Sequence, residues 1–481
     1  MNKSNSISHN PKTKTISNVY GKLTTNRLQT KLTELIESST SHGLPNIFRT
    51  KRLSIKALWT ICFLVSVSVC SYMVFSSISE YLNYEAVSRT ELITETKTPF
   101  PTVTICNVNP LTTKDAEVEV ERTLASLFIS SNLTGMDYLS YFLMANRLVL
   151  LDSYVKRFDK SYSMDKFGFS FKDILKYCSF NELTCTHADF EWHYDLSFGN
   201  CFRFNPGRGE PLKETNKAGP NNGLVLYFIL DESSNKYSSV FSEGLKVFVH
   251  NSSFEPTAAE GISIDVSKAT DVTVKRTFIK REPYPYSDCV NLRDFESELL
   301  RVMAASNRTY RQEDCFDLCL QKVIVKNCSC YDLSYLKIDN SLPCLNQSQL
   351  SCAGKEYVLF RNRNIDEECV KNCPLECETM SFDVGLSSTT FPTKFLYRIF
   401  DNIFYKNLSF EDIKSRGLQL NVYYPKLSYF KLTESRKTST VDLLSNIGGT
   451  LGLYIGISFL SLVEIVELFL EVLFAIFNFN Y

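Results

Sequence analysis

Uncharged, apolar residues concentrate near both ends of this 481-residue chain. No charged residue occurs from Ala57 to Ser79, a stretch of 23 positions. About 20 apolar residues are enough for a helix to cross a bilayer. The stretch begins too late and runs too long for a cleaved signal peptide, so it predicts a membrane helix that acts as a signal anchor. A second apolar stretch runs from Leu443 to Val463.

The second stretch has a composition that a passive anchor does not need. One helix face carries small residues and then acids: Ser445, Gly449, Gly452, Gly456, Glu464, Glu467 and Glu471. A charge at the bilayer centre costs roughly 2.5 to 3.5 kcal/mol on insertion scales, so the acids must face water or a partner. Carboxylate rings and closely approaching backbones are features of a cation pore and its inner mouth. The alternative is a helix-packing face of Gly448, Gly452 and Gly456, which would not require the acids.

Charge and modification signals predict which parts of the chain lie outside the cell. Residues 1–52 contain nine Lys or Arg and two Glu, so the positive-inside bias predicts a cytosolic N-terminus. The segment between the spans is then extracellular, and it holds 14 of the 16 cysteines, as expected in an oxidising compartment. The other two, Cys62 and Cys70, we interpret as packing or lipid-facing residues rather than palmitoylation sites. The same segment has six glycosylation sequons, at Asn132, Asn251, Asn307, Asn327, Asn346 and Asn407.

Between the spans the pattern predicts mixed secondary structure. Apolar residues have helical spacing over residues 115–160. Alternating or β-branched runs predict strands at residues 99–107, 224–230, 245–249, 272–274 and 418–424. The fold class is therefore α+β, with two transmembrane helices flanking a large, disulfide-rich extracellular domain that has a β-sheet core and peripheral helices. We divide the chain into a cytosolic tail (1–52), a first transmembrane helix (53–76), the extracellular domain (77–440), a pore-lining second helix (441–477) and a cytosolic end (478–481).

Cysteine spacing in the second half of the chain suggests a disulfide ladder. Cys315 and Cys319 are four residues apart, as are Cys369 and Cys373, so each pair lies on one face of a helix. If the two helices run antiparallel, Cys315 pairs with Cys373 and Cys319 with Cys369, although spacing alone leaves the connectivity open. We disfavour a zinc site, because this cysteine block contains no His and extracellular thiols tend to be oxidised.

Four groups of residues together resemble the degenerin/epithelial sodium channel family, which includes acid-sensing and neuropeptide-gated sodium channels. The similarity covers residues 38–472. The matching motifs are 41–43 (Ser-His-Gly), 100–107 (Phe-Pro-Thr-Val-Thr-Ile-Cys-Asn), the ectodomain cysteines, and the run from Gly448-Gly449 through Gly456-Ile457-Ser458 to Glu464 and Glu467. The resemblance implies a homo- or heterotrimer whose second spans line a sodium-selective, typically amiloride-sensitive pore.

The resemblance also assigns expected roles to single residues. Gly456, Ile457 and Ser458 fall at the family's selectivity filter, and His42-Gly43 at its gating dipeptide. Ser445 matches the position at which bulky residues hold the family's channels open. Gly452 matches the amiloride contact. Gly448 and Gly449 would form the close-packed entry beside Ser445, and Glu464, Glu467 and Glu471 the inner mouth.

The resemblance implies seven disulfides and one aromatic pair. The disulfides are Cys106 with Cys201, Cys178 with Cys185, Cys289 with Cys377, Cys315 with Cys373, Cys319 with Cys369, Cys328 with Cys352, and Cys330 with Cys344. Tyr84 and Tyr286 occupy the pair that couples the ectodomain to the pore, although acid-sensing members have Trp at the second position.

Departures from the family pattern bear on the gating stimulus. The histidine pair of acid-sensing members aligns with Glu85 and Ala86, and their Asp-Glu pair aligns with Asn235 and Lys236. Only His187, His193 and His250 are left in the ectodomain to titrate near neutral pH. No long insertion, protease-site loop or Pro-Pro-x-Tyr tail indicates an epithelial member. We therefore expect an extracellular neuropeptide as agonist, with an acid-gated or constitutively open channel as the alternative.

Two other classes of protein are alternatives to a channel. A two-span surface receptor or adhesion subunit without a pore would not need the acidic stripe. An enzyme has little support, because the sequence lacks a phosphate loop, a nucleophile elbow and a metal-ligand cluster. We expect no cofactor, metal or nucleic-acid partner, and a location in the plasma membrane with both termini cytosolic.

Overall fold

The structure is a computed structural model with two compact units. It describes residues 43–130, 138–156, 166–230, 242–291, 296–306, 308–338, 340–362, 367–404 and 408–461, and six positions beyond them: 463, 464, 466, 467, 469 and 470. The smaller unit consists of Met1–Val87 and Arg436–Tyr481, and the larger of Ser88–Ser435.

The chain alternates between helices and strands. The helices are α1 (Leu44–Arg49), α2 (Leu53–Leu82), α3 (Lys114–Ser130), α4 (Tyr138–Lys156), α5 (Phe171–Ile174), α6 (Glu298–Ala305), α7 (Gln312–Cys328), α8 (Gln347–Asn362), α9 (Glu367–Asn372), α10 (Lys394–Phe404), α11 (Phe410–Arg416) and α12 (Thr440–Tyr454). The strands are β1 (Ala86–Thr94), β2 (Thr98–Pro99), β3 (Thr102–Asn107), β4 (Leu175–Phe180), β5 (Leu183–Thr184), β6 (Phe190–Asp195), β7 (Gly199–Phe204), β8 (Glu214–Thr215), β9 (Leu224–Ile229), β10 (Leu245–His250), β11 (Ile262–Ile264), β12 (Lys268–Lys280), β13 (Cys289–Val290), β14 (Leu375–Glu376), β15 (Glu378–Thr390), β16 (Gly417–Tyr423) and β17 (Ser428–Arg436).

In the smaller unit, one long apolar helix meets the requirement for a membrane span. Among the described residues, α2 is the one helix that is long and apolar enough to cross a bilayer. It ends at Leu82, six residues beyond the predicted boundary at 76, because residues 77–82 contain no helix breaker before Tyr84 adopts a left-handed backbone at φ 50°. Helix α2 packs on α12, where the buried Cys70 thiol lies 3.9 Å from the Thr450 carbonyl. Cys70 is thus a packing residue, and Cys62 is exposed.

The second predicted membrane helix is not continuous. Helix α12 ends at Tyr454, the backbone is non-helical from Gly456 to Ser458, and helical turns resume at Phe459. The predicted second transmembrane helix, 441–477, is interrupted at this break, because Gly456 has φ 79°, a backbone conformation that a right-handed helix does not contain. Residues 471–477 lie outside the described residues.

The core of the larger unit lies between two sheets. One sheet has the strand order β1-β17-β12-β16-β9-β4-β5, with β15 also paired to β12; the other has the order β11-β10-β3-β7-β6. Strand β12 is the spine of the first sheet: its first half pairs in parallel with β16, its second half in parallel with β17, and its other edge antiparallel with β15. The largest buried cluster joins both sheets and includes Phe100, Ile105, Phe204, Leu226, Phe228, Leu245, Val272 and Leu420.

Helices surround this core in two groups. Helices α3 and α4 pack together through Val120, Leu124 and Val149. Helices α6 to α9 form a second group built around cystines. The structure contains seven disulfides: Cys106–Cys201, Cys178–Cys185, Cys289–Cys377, Cys315–Cys373, Cys319–Cys369, Cys328–Cys352 and Cys330–Cys344. These are the pairs that the resemblance implies, and they include the ladder that the spacing suggested.

Candidate functional site

The candidate pore segment starts at a capped helix. The Ser439 Oγ accepts a hydrogen bond from the Asp442 backbone N–H at 3.1 Å, and the Asp442 carboxylate accepts one from the Ser439 N–H at 3.0 Å. This reciprocal capping box satisfies backbone donors that a helix start would otherwise leave without partners. It therefore fixes the start of α12 at Thr440, five residues before Ser445.

The small residues of α12 form an open face. Ser445, Gly449 and Gly452 are all exposed within the single chain. A Cβ atom added at Gly448 or Gly449 would meet no atom within 4 Å outside its own helix, among the part of the chain that is described. In the described part of the chain, this face is therefore open at Gly448 and Gly449.

The break after Tyr454 coincides with the predicted filter. The Leu451 carbonyl accepts from the backbone N–H of Ile455, Gly456 and Ile457, at 3.0, 3.0 and 3.3 Å, which closes the helix end tightly. Ser458 then starts the next turn, accepting from the Ser461 N–H at 3.0 Å. Irregular backbone at membrane depth is tolerated only where protein buries it or where it lines a water-filled cavity. The break is therefore suited to a pore lining and unsuited to a lipid-facing anchor.

The acidic positions beyond the break are described in part. Glu464 and Glu467 lie in helical turns, one half-buried and the other exposed. Their three-residue separation puts them on neighbouring parts of one face. Glu471 lies outside the described residues.

Before α1, the chain turns at Gly43. Gly43 precedes α1 with φ 90°, and a Cβ atom there would lie 3.5 Å from the Phe63 ring and 3.9 Å from that of Trp59. The backbone conformation thus favours a residue without a side chain, whereas the contacts of an added Cβ atom with α2 would be ordinary van der Waals contacts. His42, its partner in the predicted dipeptide, lies outside the described residues.

A charged cluster that the sequence analysis missed joins the two segments leading into α2 and α12. The Lys437 backbone N–H donates to the Glu85 carbonyl at 3.0 Å. The Lys437 ammonium lies 2.8 Å from the Glu85 carboxylate and 2.9 Å from that of Glu80. The sequence signal for this cluster was the opposite charge of the two linkers, the segment after α2 that contains Glu85 and the segment before α12 that contains Lys437.

The predicted aromatic pair is divided between the two units. Tyr84, in the smaller unit, packs its ring 6.2 Å from that of Tyr81. Tyr286, in the larger unit, closes a turn by donating its N–H to the Pro283 carbonyl at 3.1 Å. The coupling of Tyr84 with Tyr286 stays a prediction.

Comparison with known proteins identifies the family. The sequence pattern of the family described as "amiloride-sensitive sodium channel" matches residues 35–468. The chain belongs to this family.

Three of its relatives show the range of stimuli within it. The bile acid-sensitive ion channel of Mus musculus is 26% identical over 90% of this chain and 86% of its own length. Acid-sensing ion channel 1 of Gallus gallus is 26% identical over 91% and 83%. The FMRFamide-activated amiloride-sensitive sodium channel of Cornu aspersum is 23% identical over 93% and 84%.

Two histidines of this sodium channel family member are held neutral at physiological pH. His250 is buried, and its Nδ1 lies 2.8 Å from the Asn251 carbonyl, which can only accept, so Nδ1 carries the proton. Its Nε2 then accepts from the Thr104 hydroxyl at 2.8 Å. Burial lowers the pKa of His250 to about 4. Burial, with the nearby Arg203 charge, also lowers the pKa of His193 to about 4.

The His193 surroundings form a charge network that joins the second sheet to α7. Arg203 is buried and forms a bidentate ion pair with Glu255. Although burial acts to raise it, the Arg203 guanidinium lowers the pKa of Glu255 to about 2. Arg311, next to the start of α7, donates to the Glu255 backbone carbonyl at 3.0 Å and to the Glu260 carboxylate at 2.9 Å.

The predicted glycosylation positions are described for three of six sequons. Asn327 and Asn346 are exposed and Asn251 is half-buried. The sequons at Asn132, Asn307 and Asn407, and the pair Asn235 and Lys236, lie outside the described residues.

Proposed function

We propose that the chain is a subunit of a trimeric, sodium-selective and amiloride-sensitive channel of the plasma membrane, opened by an extracellular neuropeptide. Its two membrane spans lie near residues 53–76 and 441–477, and both termini are cytosolic. The ectodomain between them, residues 77–440, senses the ligand. Membership of the sodium channel family supports the ion and the blocker.

The main support for a pore is the helix break at Gly456. It places irregular backbone in the middle of an apolar segment, directly after an open face of small residues. Backbone carbonyls and carboxylate rings are what cation filters use. We assign Gly456, Ile457 and Ser458 to the filter, Ser445 to the gate, Gly449 and Gly452 to the outer pore and Glu464, Glu467 and Glu471 to its inner mouth.

The gate position gives a test that does not require the agonist. Ser445 is exposed on α12, so a bulky Ser445→Phe side chain fits the single chain and would act between subunits. We expect a constitutive, amiloride-sensitive sodium current, measured by voltage clamp in cells that express the chain. Leu444→Phe, at the adjacent exposed position on another part of the helix, is the matched control and should stay closed. Surface expression of Ser445→Phe without current would contradict a homomeric pore.

Three observations bear on the stimulus. The peptide-activated relative from Cornu aspersum gives a precedent within the family. The lowered pKa values of His193 and His250 mean that neither changes charge between about pH 7 and pH 5. One group favours the acid alternative: burial and the neighbouring Asp314 and Glu313 raise the pKa of Asp317 on α7 to about 6.

A screen separates these stimuli. Cells that express the chain receive amidated peptides, a bile acid, or a step to about pH 5.5, and sodium current is recorded. An agonist that moves the open fraction from 1% to 99% needs about 5.5 kcal/mol of differential binding, or about 1.8 kcal/mol at each of three sites. Current with peptide alone supports the proposal. Current with acid alone, abolished by Asp317→Asn, would replace it with acid gating.

A further inference from the structure

The two linkers that lead into α2 and α12 are joined by a single cation. Lys437 follows the last residue of β17, Glu80 lies in the last turn of α2, and Glu85 lies between α2 and β1. One ammonium group is within hydrogen-bond distance of both carboxylates, at 2.8 and 2.9 Å. The backbone bond from Lys437 to Glu85 adds a third connection. Any motion that separates the end of α2 from the start of α12 must break this cluster.

The exposure of the cluster limits what it can do for stability. The three side chains are 44% to 50% exposed, and exposed ion pairs contribute little to stability because water screens them. Their position is more informative than their strength. A weak contact between two elements that move relative to each other can still bias a balance between closed and open states.

The ammonium also balances the negative charges of its two partners. The hydrogen bonds to Glu85 and Glu80 raise the pKa of Lys437, so it stays charged at every physiological pH. If the ammonium were removed, two carboxylates would share its place. Like charges at close range favour uptake of a proton. With a neutral side chain in place of Lys437, the contact between the two linkers would therefore form only when the carboxylates take up a proton, and it would depend on pH.

We propose that Lys437 is a positioning residue for gating: it holds the two linkers together and makes this contact at the outer mouth insensitive to protons. The inference rests on the proposed channel function. Charged and titratable groups nearby in the sequence include Asp442, Tyr81, Tyr84 and Arg436. Asp442, on the first turn of α12, is bonded to Ser439 at 2.6 Å. Tyr81 and Tyr84 pack on each other, and Arg436 has the same sign as Lys437.

The test measures pH profiles in the full-length chain with Ser445→Phe, which supplies current without an agonist. The current is recorded between about pH 7.5 and pH 5.5 for that variant alone and with Lys437→Met, Lys437→Arg, or Lys437→Met combined with Glu80→Gln. We expect Lys437→Met to change the current by about twofold or more across this range, because the two carboxylates then share a proton. Lys437→Arg and the combined variant should be as flat as Ser445→Phe alone.

Three results would overturn the inference, and one of them needs no current. The first is a current that does not change with pH in Lys437→Met. The second is a current that changes with pH in Lys437→Met and still does so when Glu80→Gln is added. The third uses membranes that contain Glu85→Cys with Lys437→Cys, which should form a disulfide that protects both thiols from a maleimide. Labelling equal to that of the two single-cysteine variants would show that the linkers are apart. Loss of current in Ser445→Phe itself, with the cross-link formed, counts against the proposed channel and leaves the linker contact supported.

Discussion

At the scale of one residue, Gly456 combines an unusual backbone with the proposed filter. Its φ of 79° costs a residue with a Cβ atom roughly 1–2 kcal/mol. We expect Gly456→Ala to shift the backbone of the neighbouring Ile457 and Ser458, and so to lower sodium over potassium selectivity. Reversal potentials of the Ser445→Phe current in the two ions measure this.

Gly354→Ala is the control for that prediction. Gly354 is helical and lies on α8, outside the proposed pore, and its added Cβ atom would meet no described atom within 4 Å, so Ala there should leave selectivity unchanged. Equal selectivity in both variants would argue against a filter at Gly456.

Some functional residues could be predicted from the sequence and others could not. The stripe of Ser445, Gly449 and Gly452 was visible because spacing on one helix determines a shared face. The cluster of Glu80, Glu85 and Lys437 was not, because its members lie more than 350 positions apart in the chain and meet only through strand pairing. Opposite charges on the two linkers were a signal, but sequence spacing does not show that such distant residues meet.

At the scale of elements, the cystine ladder on α7 makes a direct prediction. Cys319–Cys369 closes a loop over a sequence separation of 50 residues. Opening such a loop costs roughly 4 kcal/mol in the chain-entropy description. We expect Cys319→Ser with Cys369→Ser to lower the unfolding temperature of the purified channel and its surface expression. Cys62→Ser, at an exposed free cysteine, should change neither; equal unfolding of the double variant and the unmodified chain would show that the ladder adds no stability.

Elements also differed in how well the sequence predicted them. Strands β9, β10 and β16 lie within a residue or two of the predicted runs, because their alternation reflects one buried face. Helices α3 and α4 account for the predicted helical stretch. The break in the second membrane segment was not predicted, since hydropathy reports length and apolarity but not backbone conformation. Only the left-handed Gly456 reveals the break.

At the scale of the whole molecule, the response to acid is set by buried groups with opposite effects. His250 has a folded pKa of about 4 and an unfolded value of 6.5. Between those values the unfolded chain binds more protons, so this group makes the free energy of unfolding fall as pH falls. Asp317, with its pKa raised to about 6, acts in the opposite direction, because the folded state binds its proton first.

The His250 contribution can be isolated by a difference between variants. From pH 7.5 to pH 5 it should remove about 2 kcal/mol of stability, and His250→Gln, which cannot titrate, should lack this loss. The decrease in unfolding temperature across that pH range should therefore be smaller in His250→Gln than in the unmodified chain. Asp317→Asn should show a larger decrease. Parallel pH dependence in all three proteins would mean that the charge of these buried groups does not change on unfolding, and the assignment of His250 as a neutral core residue would then fail.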